Sequence, residues 1–215
     1  AKSCKMKKFN GIYLITDETL ISQEDYSGII ESVLKHKPEF IQLRVKNLDK
    51  IDILSKAKKI REISLMYGVK FIVNDFIDVA LDCGADGVHI GEFDDSLRDV
   101  RAKIGNNKII GVSCYGDLDR CIKFSELGAD YIAIGTPYFT KTKPNRERTS
   151  LEEILSIVDR IRSTSIFAIG GIDPSNAANI LSLGVDGIAV INSVFGSENP
   201  SESVRELTSL FKRRI

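Results

Sequence analysis

The sequence LGADYIAI at residues 127–134 has two counterparts in this chain, CGADGVHI at residues 83–90 and LGVDGIAV at residues 183–190. Each stretch follows a segment with helix-like hydrophobic periodicity and places Gly where a helix end favours a left-handed residue. A two-residue turn containing Asp comes next, followed by a short apolar run. The pattern therefore predicts a helix, a tight turn and a buried strand, which form the second half of a βαβ unit.

Further apolar runs complete the series, at residues 13–15, 40–43, 71–73, 109–112 and 166–169. They are almost continuously apolar, as expected for parallel strands that are covered on both faces. Amphipathic stretches at 51–67 and 151–161 lie between them, the second with Thr149 or Ser150 as its N-cap. Eight strands alternating with helices predict an α/β fold, a single (β/α)8 TIM barrel that forms one domain over residues 1–215. A doubly wound sheet usually has fewer strands and a less even repeat. Residues 192–215 are expected to form the closing helix, with a loop at 198–200.

The charge balance excludes several classes of partner. The chain has 30 Lys and Arg residues against 30 Asp and Glu residues, so we expect no general attraction to nucleic acid or to a membrane surface. No apolar run is long enough to cross a bilayer, and residues 1–8 lack the apolar stretch of a signal peptide. The four cysteines show no metal-binding or pairing pattern, which predicts reduced thiols in a cytoplasmic protein. The sequence is compatible with a homo-oligomer.

In a TIM barrel the chemistry gathers at the carboxyl ends of the strands. Nearly every predicted strand here ends in polar, charged or glycine residues. They are Arg44 and Lys46 after the second strand, Asn74 and Asp75 after the third, Asp94 after the fourth, Ser113 on the fifth, residues 135–144 after the sixth, Gly170 and Gly171 after the seventh, and Asn192 and Ser193 after the eighth. One rim of the barrel is therefore expected to hold the site.

The ends of the last two strands predict a phosphate site. Gly170 and Gly171 allow a backbone N–H group to approach a ligand closely, and Asn192 and Ser193 open a helix whose amides favour an anion. Strands seven and eight form the usual phosphate site of such barrels. The alternative is that the glycines only make a tight turn.

Two carboxylates, Asp75 and Asp94, follow adjacent strands and predict a magnesium site, because Mg²⁺ is typically held by one or two carboxylates plus substrate phosphates. Either residue could instead cap the next helix, and Asp95 competes with Asp94. Lys141 and Lys143 add positive charge, although alone they could be solvated loop residues. Together these features predict two phosphorylated substrates, or one substrate with phosphates at both ends.

Acid–base and nucleophilic chemistry has little support in the sequence. Of the two histidines, His36 is expected on an exposed helix end and His89 as a packed, hydrogen-bonded strand residue. No histidine is placed by sequence to activate Ser113 or Cys114 as a nucleophile. The site is therefore expected to stabilise a leaving group.

Over nearly its whole length the chain resembles the thiamine phosphate synthase family. The stretches that carry the resemblance are YLITD at 13–17, QLRVK at 42–46, ND at 74–75, GADGVHIG at 84–91, GVS at 111–113, TKTK at 140–143 and IGGI at 169–172. The resemblance implies condensation of hydroxymethylpyrimidine diphosphate with a thiazole phosphate, giving thiamine phosphate and pyrophosphate through a pyrimidine-methyl cation.

The resemblance also implies a role for each matching residue. The pyrimidine diphosphate would be bound by Gln42, Leu43, Arg44, Val45, Lys46, Asn74 and Lys143, and Ser113 would contact the pyrimidine. Asp75 and Asp94 would hold Mg²⁺. The thiazole phosphate would be bound by Thr140, Lys141, Thr142, Gly171, Ile191 and Asn192. Arg44, Lys46, Lys143 and Ser113 are the expected catalytic residues.

Three positions depart from the family pattern. Val45 replaces an acidic residue, Glu92 stands where Gln is usual, and Asn192 stands where Ser is common. The first two departures could alter metal affinity or substrate preference, whereas the backbone N–H of Asn192 can still serve.

Other functions are possible on the same barrel. The related thiazole tautomerase uses a histidine two residues beyond the serine of strand five, where this chain has Tyr115, and it lacks the Thr-x-Thr-Lys loop that is intact here. A sugar-phosphate epimerase or lyase, and a non-catalytic binding or regulatory barrel of the thiamine pathway, are the remaining alternatives.

Overall fold

Eight parallel strands pair in sequence order and close into a barrel, because β1 is hydrogen-bonded to both β2 and β8. The structure is a computed structural model that describes residues 9–91, 97–140 and 147–212. The predicted (β/α)8 barrel is confirmed. Its strands are β1 (Gly11–Ile15), β2 (Phe40–Leu43), β3 (Lys70–Asn74), β4 (Gly87–Ile90), β5 (Ile109–Tyr115), β6 (Tyr131–Ile134), β7 (Ser165–Ile169) and β8 (Gly187–Val190).

Helices alternate with these strands. In the described part of the chain they are α1 (Tyr26–Leu34), α2 (Lys50–Tyr67), α3 (Ile77–Asp82), α4 (Leu97–Ile104), α5 (Leu118–Glu126), α6 (Leu151–Arg160), α7 (Ala177–Ser182), α8 (Asn192–Phe195) and α9 (Pro200–Lys212). The closing helix is divided into α8 and α9. Pro200 begins α9 and does not lie in the predicted loop, because proline suits the first helical position and Asn199 caps the helix through a bond from the Glu202 N–H (3.1 Å).

The N-terminus of α6 is fixed by a capping box, which decides between the two predicted caps. Ser150 Oγ accepts the Glu153 N–H at 3.2 Å, and Glu153 Oε2 accepts the Ser150 N–H at 2.7 Å. Thr149 is buried instead. The two reciprocal bonds satisfy donors that the first turn of a helix would otherwise leave open.

The repeated Gly-x-Asp pattern ties each helix end to the barrel. Its glycines follow helices with φ angles of 68°, 90° and 94°, as the left-handed helix end requires (Gly84, Gly128 and Gly184). Its aspartates accept the N–H at the start of the preceding odd-numbered strand, in the pairs Asp86 with Phe71 (2.8 Å), Asp130 with Ile110 (2.9 Å) and Asp186 with Ile166 (2.8 Å). The three Asp side chains thus anchor the end of the barrel that lies opposite the predicted site.

Two hydrophobic cores hold the fold together. The larger packs the outward faces of the strands against the helices, with Leu14, Ile41 and Val88 among its fully buried members. The smaller fills the barrel interior with Phe9, Tyr13, Ile15, Phe40, Ile72, Tyr131, Phe167 and Ala189. Small residues make room for its rings: a Cβ added to Gly111 would lie 1.9 Å from Cζ of Tyr131. The lower barrel is therefore a packed aromatic core, and only its upper end is open.

None of the helices in the described part of the chain has both the length and the apolar character needed to cross a bilayer. Cys83, Cys114 and Cys121 carry free thiols, and Cys4 lies outside the described residues.

Candidate active site

A cavity of about 330 Å³ opens at the carboxyl ends of the strands, above the aromatic core. The predicted residues Gln42, Arg44, Val45, Lys46, Asn74, Asp75, Ser113, Thr140 and Ile191 all line it. Because they come from the carboxyl ends of five strands, β2, β3, β5, β6 and β8, only the closed barrel brings them together. Tyr13, His89 and Tyr115 also line the cavity, although none of them was predicted as a site residue from the sequence.

Arg44 and Lys46 supply positive charge on one wall of the cavity. The Arg44 side chain is 11% exposed, and its Nη1 lies 3.7 Å from Asp17 Oδ2. Burial lowers the pKa of Arg44, whereas the nearby carboxylates of Asp17 and Asp75 raise it. Thr16 Oγ1 accepts the backbone N–H of Arg44 at 3.1 Å. Arg44 is thus held in place as a cation, while Lys46 is exposed at the rim.

Asp75 lies beside these cations at the end of β3. Its φ angle is +64°, a left-handed conformation that Asp tolerates better than most residues. Asn74 Nδ2 donates to Asp75 Oδ2 at 2.6 Å, which orients the carboxylate. The N-cap of α3 is Phe76, so the alternative that Asp75 caps this helix is wrong.

The magnesium prediction depends on two carboxylates, one of which the structure describes. Asp75 offers the oxygen donors that Mg²⁺ prefers, and Asp94 lies outside the described residues. No group of three or more His, Cys, Asp or Glu side chains forms a metal site within residues 9–91, 97–140 and 147–212. Asp75 is thus a described carboxylate that could contribute to a metal site completed by substrate phosphate and water.

Ser113 has a histidine partner. His89 Nε2 lies 2.8 Å from Ser113 Oγ, and His89 Nδ1 lies 3.0 Å from Tyr131 Oη. The prediction that His89 is packed and hydrogen-bonded is confirmed, since the residue is 7% exposed. The sequence did not reveal this contact, because the two residues are 24 positions apart. β4 and β5 are neighbours, and both residues point into the barrel.

A second cavity of about 230 Å³ adjoins the first and is lined by the ends of β7 and β8. The two cavities share Thr140, Ile169, Gly170, Ala189 and Ile191. Gly171 lines the second one with a φ angle of +59°, and a Cβ on it would lie 2.2 Å from the carbonyl oxygen of Phe139. Only glycine therefore fits at this point of the wall. Asn192 lines the second cavity as well, at the start of α8.

Ser193 marks the second cavity as a binding site for a polar group. Its Oγ is buried and has no hydrogen-bond partner among the described residues, although the residue lines the cavity. A buried hydroxyl that is left unbonded costs free energy, so an acceptor or donor on a ligand is the natural partner. The sequence indicated Ser193 only as part of a helix start.

Several predicted residues are not part of either cavity as described. The Leu43 side chain is 1% exposed and packs in the outer core, because alternate residues of β2 face opposite sides of the sheet and Gln42 faces inward. The predicted residue Leu43 therefore does not line the first cavity with its side chain. Glu92, Asp94, Asp95, Lys141, Thr142 and Lys143 lie outside the described residues.

The sequence analysis noted Tyr115 only because it stands where the tautomerase has a histidine. In the structure it is a strained residue of the cavity wall. Its φ angle is +58°, and the register between β5 and β6 shifts between Ser113 and Tyr115. An aromatic residue rarely adopts this conformation, and such strain concentrates at functional sites. The irregular strand end turns the Tyr115 side chain toward the ligand space.

The fold and the two joined cavities define a class of protein, a TIM barrel with a small-molecule site at its carboxyl face. The family profile described as thiamine monophosphate synthase matches residues 12–194. The thiamine-phosphate synthase of Clostridioides difficile (strain 630) is 38% identical over 203 residues, which are 94% of this chain and 96% of that protein.

Solved structures of other proteins are similar to this barrel. Thiamine phosphate pyrophosphorylase from Pyrococcus furiosus matches with a TM-score of 0.85 and 32% identity, covering 94% of this chain and 96% of that one. 3-Hexulose-6-phosphate synthase from Salmonella typhimurium, at 17% identity and a TM-score of 0.71, shares the fold alone. The chain belongs to the thiamine monophosphate synthase family and is a transferase of thiamine biosynthesis.

Proposed function

We propose that this transferase condenses 4-amino-2-methyl-5-hydroxymethylpyrimidine diphosphate with a thiazole phosphate to give thiamine phosphate and pyrophosphate, in a reaction that depends on Mg²⁺. The observation that carries the proposal is the pair of adjoining cavities with five shared lining residues. One has cations and a carboxylate at its rim, and the other has the glycine turn and the unbonded Ser193 hydroxyl. Two phosphorylated substrates can therefore meet at the shared wall.

The first cavity suits the pyrimidine diphosphate. Arg44 and Lys46 place positive charge where the diphosphate leaves, and charge-assisted bonds of this kind contribute roughly 1.5–3 kcal/mol each. We propose that Asp75 and Asp94 hold Mg²⁺, and Mg²⁺ when bound would neutralise charge on the departing diphosphate. Lys143 completes the cationic set in this proposal.

The reaction requires positioning and charge stabilisation. The electron-rich aminopyrimidine stabilises the methylene cation that remains when the diphosphate departs, and the thiazole nitrogen then attacks that carbon. The chain's residues orient both rings and exclude water, which is where most of the rate enhancement of such a step originates. Gly171, Thr140 and the residues at the end of β8 would hold the thiazole phosphate, together with Lys141 and Thr142. We also propose that the enzyme acts in the cytoplasm.

The thiazole tautomerase alternative lacks its histidine, because Tyr115 occupies that position in the cavity wall. A proton transfer of the tautomerase kind therefore lacks its expected base at this position.

Pyrophosphate release tests the proposal. Purified protein should release pyrophosphate only when both substrates and Mg²⁺ are present, and EDTA should abolish the release. No pyrophosphate under these conditions would overturn the proposed reaction, and thiazole isomerisation in its place would identify the tautomerase. Binding of both phosphates without turnover would indicate a non-catalytic barrel.

A further inference from the structure

Five polar side chains form a continuous hydrogen-bonded series along the floor of the first cavity. Gln42 Nε2 lies 2.5 Å from Tyr13 Oη, and Tyr13 Oη lies 2.6 Å from Tyr131 Oη. Tyr131 Oη lies 3.0 Å from His89 Nδ1, and His89 Nε2 lies 2.8 Å from Ser113 Oγ. The two ends, Gln42 and Ser113, line the cavity together with Tyr13 and His89, whereas Tyr131 is fully buried below it. The two ends of the pocket are thus connected through the barrel interior.

The direction of each bond follows from the first one. Gln42 donates its amide N–H to Tyr13, so the Tyr13 hydroxyl gives its own hydrogen to its other partner, Tyr131. Tyr131 then donates to His89 Nδ1, which places the proton of a neutral imidazole on Nε2. His89 Nε2 donates to Ser113 Oγ. A doubly protonated ring would leave the Tyr131 hydrogen without an acceptor.

These bond directions make Gln42 a hydrogen-bond acceptor and Ser113 a hydrogen-bond donor toward the cavity. The Gln42 amide donates one of its two N–H bonds to Tyr13 and keeps its carbonyl Oε1 as an acceptor for a ligand in the cavity. Ser113 Oγ accepts from His89 and offers its own O–H as a donor. A heteroaromatic ring that carries an amino group next to a ring nitrogen presents the complementary donor and acceptor. The corresponding pyrimidinone presents the reverse pattern, a carbonyl next to an N–H group.

We propose that Tyr13, Tyr131 and His89 are positioning residues that couple the orientation of the Gln42 amide to that of the Ser113 hydroxyl, and that the coupled arrangement, with Gln42 as the acceptor and Ser113 as the donor, selects an aminopyrimidine over the corresponding pyrimidinone. This inference rests on the proposed function and adds the residues that set ring specificity. Reversing one end requires all five groups to reverse together, because every intermediate arrangement leaves a buried polar group unbonded.

The surrounding aromatic core prevents the hydrogen-bonded side chains from moving independently of one another. The Tyr131 ring packs edge-on to Tyr13 at a centroid distance of 5.5 Å and stacks with His89 at 5.7 Å. A Cβ on Gly111 would overlap the Tyr131 ring, which shows how closely the strand backbone approaches it. The hydroxyl of Tyr131 is therefore held between its two partners and cannot exchange them for water.

Tyr131→Phe tests the inference, because it removes the central hydroxyl and keeps the ring. Calorimetric titration should show wild-type protein binding 4-amino-2-methylpyrimidine at least about tenfold more tightly than 2-methylpyrimidin-4-one, and this ratio should fall about tenfold in the variant. The KM for the pyrimidine diphosphate should rise, while the KM for the thiazole phosphate stays unchanged. Tyr13→Phe, which breaks the chain one bond away, should give the same result if Tyr131→Phe does not fold.

Phe167→Leu is the matched control. Phe167 contacts Tyr131 in the same aromatic core at 5.5 Å but has no polar atom, so its change should lower stability and leave the binding ratio unchanged. If Tyr131→Phe or Tyr13→Phe keeps the wild-type ratio of affinities for the two pyrimidines and still releases pyrophosphate, the inference about ring specificity is overturned. The proposed function is then unaffected. Wild-type protein that binds neither pyrimidine and releases no pyrophosphate would overturn the proposed function with it.

Discussion

Asn74 Nδ2 donates to Asp75 Oδ2 across 2.6 Å, at the point where β3 ends and the cavity begins. The bond directs one carboxylate oxygen of a residue whose φ angle, +64°, is unusual for any side chain except Asn, Asp and Gly. The contact places the carboxylate beside Arg44, whose pKa it helps to raise against the effect of burial. The proposed metal ligand and the cationic wall are therefore part of one arrangement.

Asp75→Asn should separate the charge of this residue from its backbone conformation. Asn tolerates the same φ angle, so the variant should fold normally and lose only the carboxylate. We expect the rate to fall by about two orders of magnitude and the Mg²⁺ requirement to rise at least about tenfold. Pyrophosphate release measured across a Mg²⁺ titration checks both effects. Asp78→Asn, at an exposed carboxylate that pairs with Lys50 at 3.3 Å, should behave as wild type; equal curves for both variants would contradict the proposed role.

Lys46→Ala should weaken catalysis without weakening the fold. The side chain is exposed at the rim of the cavity, so its loss removes charge near the diphosphate and leaves no buried gap. We expect kcat/KM for the pyrimidine diphosphate to fall about 10- to 100-fold, with an unchanged melting temperature. Lys50→Ala, outside the cavity on α2, is the control. Unchanged kinetics for Lys46→Ala would remove this residue from the site.

Gly171→Ala should damage the second cavity selectively. The new Cβ would lie 2.2 Å from the Phe139 carbonyl oxygen in a residue with a φ angle of +59°, so the turn must move. We expect the KM for the thiazole phosphate to rise at least about tenfold, measured by steady-state kinetics with the other substrate saturating. Gly68→Ala is the control, since Gly68 has a φ angle of +68° and nothing within 4 Å of the added Cβ. It should cost about 1 kcal/mol of stability and leave both KM values unchanged.

The two tyrosines of the barrel interior should make the protein sensitive to alkali. Burial raises the pKa of Tyr13 and of Tyr131 above the usual value of 10.0, so the folded protein keeps both phenols protonated when the unfolded chain begins to lose those protons. The contribution of these two phenols to the free energy of unfolding is complete below about pH 10 and is lost progressively as the pH rises beyond it. The free energy of unfolding then falls by up to about 1.4 kcal/mol per pH unit for each phenol.

Urea unfolding at a series of alkaline pH values measures this slope. The double variant Tyr13→Phe/Tyr131→Phe should show a shallower fall in the free energy of unfolding than the wild type. Phe167→Leu should be less stable at every pH and keep the wild-type slope. A double variant with the wild-type slope would show that other groups cause the alkaline loss.

The barrel could be predicted because its signals are local. Strands with nearly continuous apolar residues, and glycines such as Gly128 that end the helices, can be recognised without knowledge of distant contacts. The strand-end rule then placed Arg44, Lys46 and Asp75 at one rim, and all three line the cavity. The same rule could not distinguish Leu43 from Gln42, because neighbouring strand residues face opposite sides of the sheet.

The residues that were missed depend on contacts between distant strands. Tyr13 and Tyr131 are separated by 118 residues and meet only because β1 and β6 face each other across the closed barrel. His89 reaches Ser113 through the register of β4 with β5. Ser193 is recognised only when its burial without a described partner is known.

The sequence by itself determined the barrel, its single rim of polar residues and the family, because hydrophobic periodicity and strand-end motifs are properties of short segments. Tertiary structure alone decided which side chains share a cavity and which hydrogen bonds link them. Barrel closure and strand register fix those distances, and no single segment contains that information. The hydrogen-bonded chain from Gln42 to Ser113, which draws its members from five strands, exists only in the folded molecule.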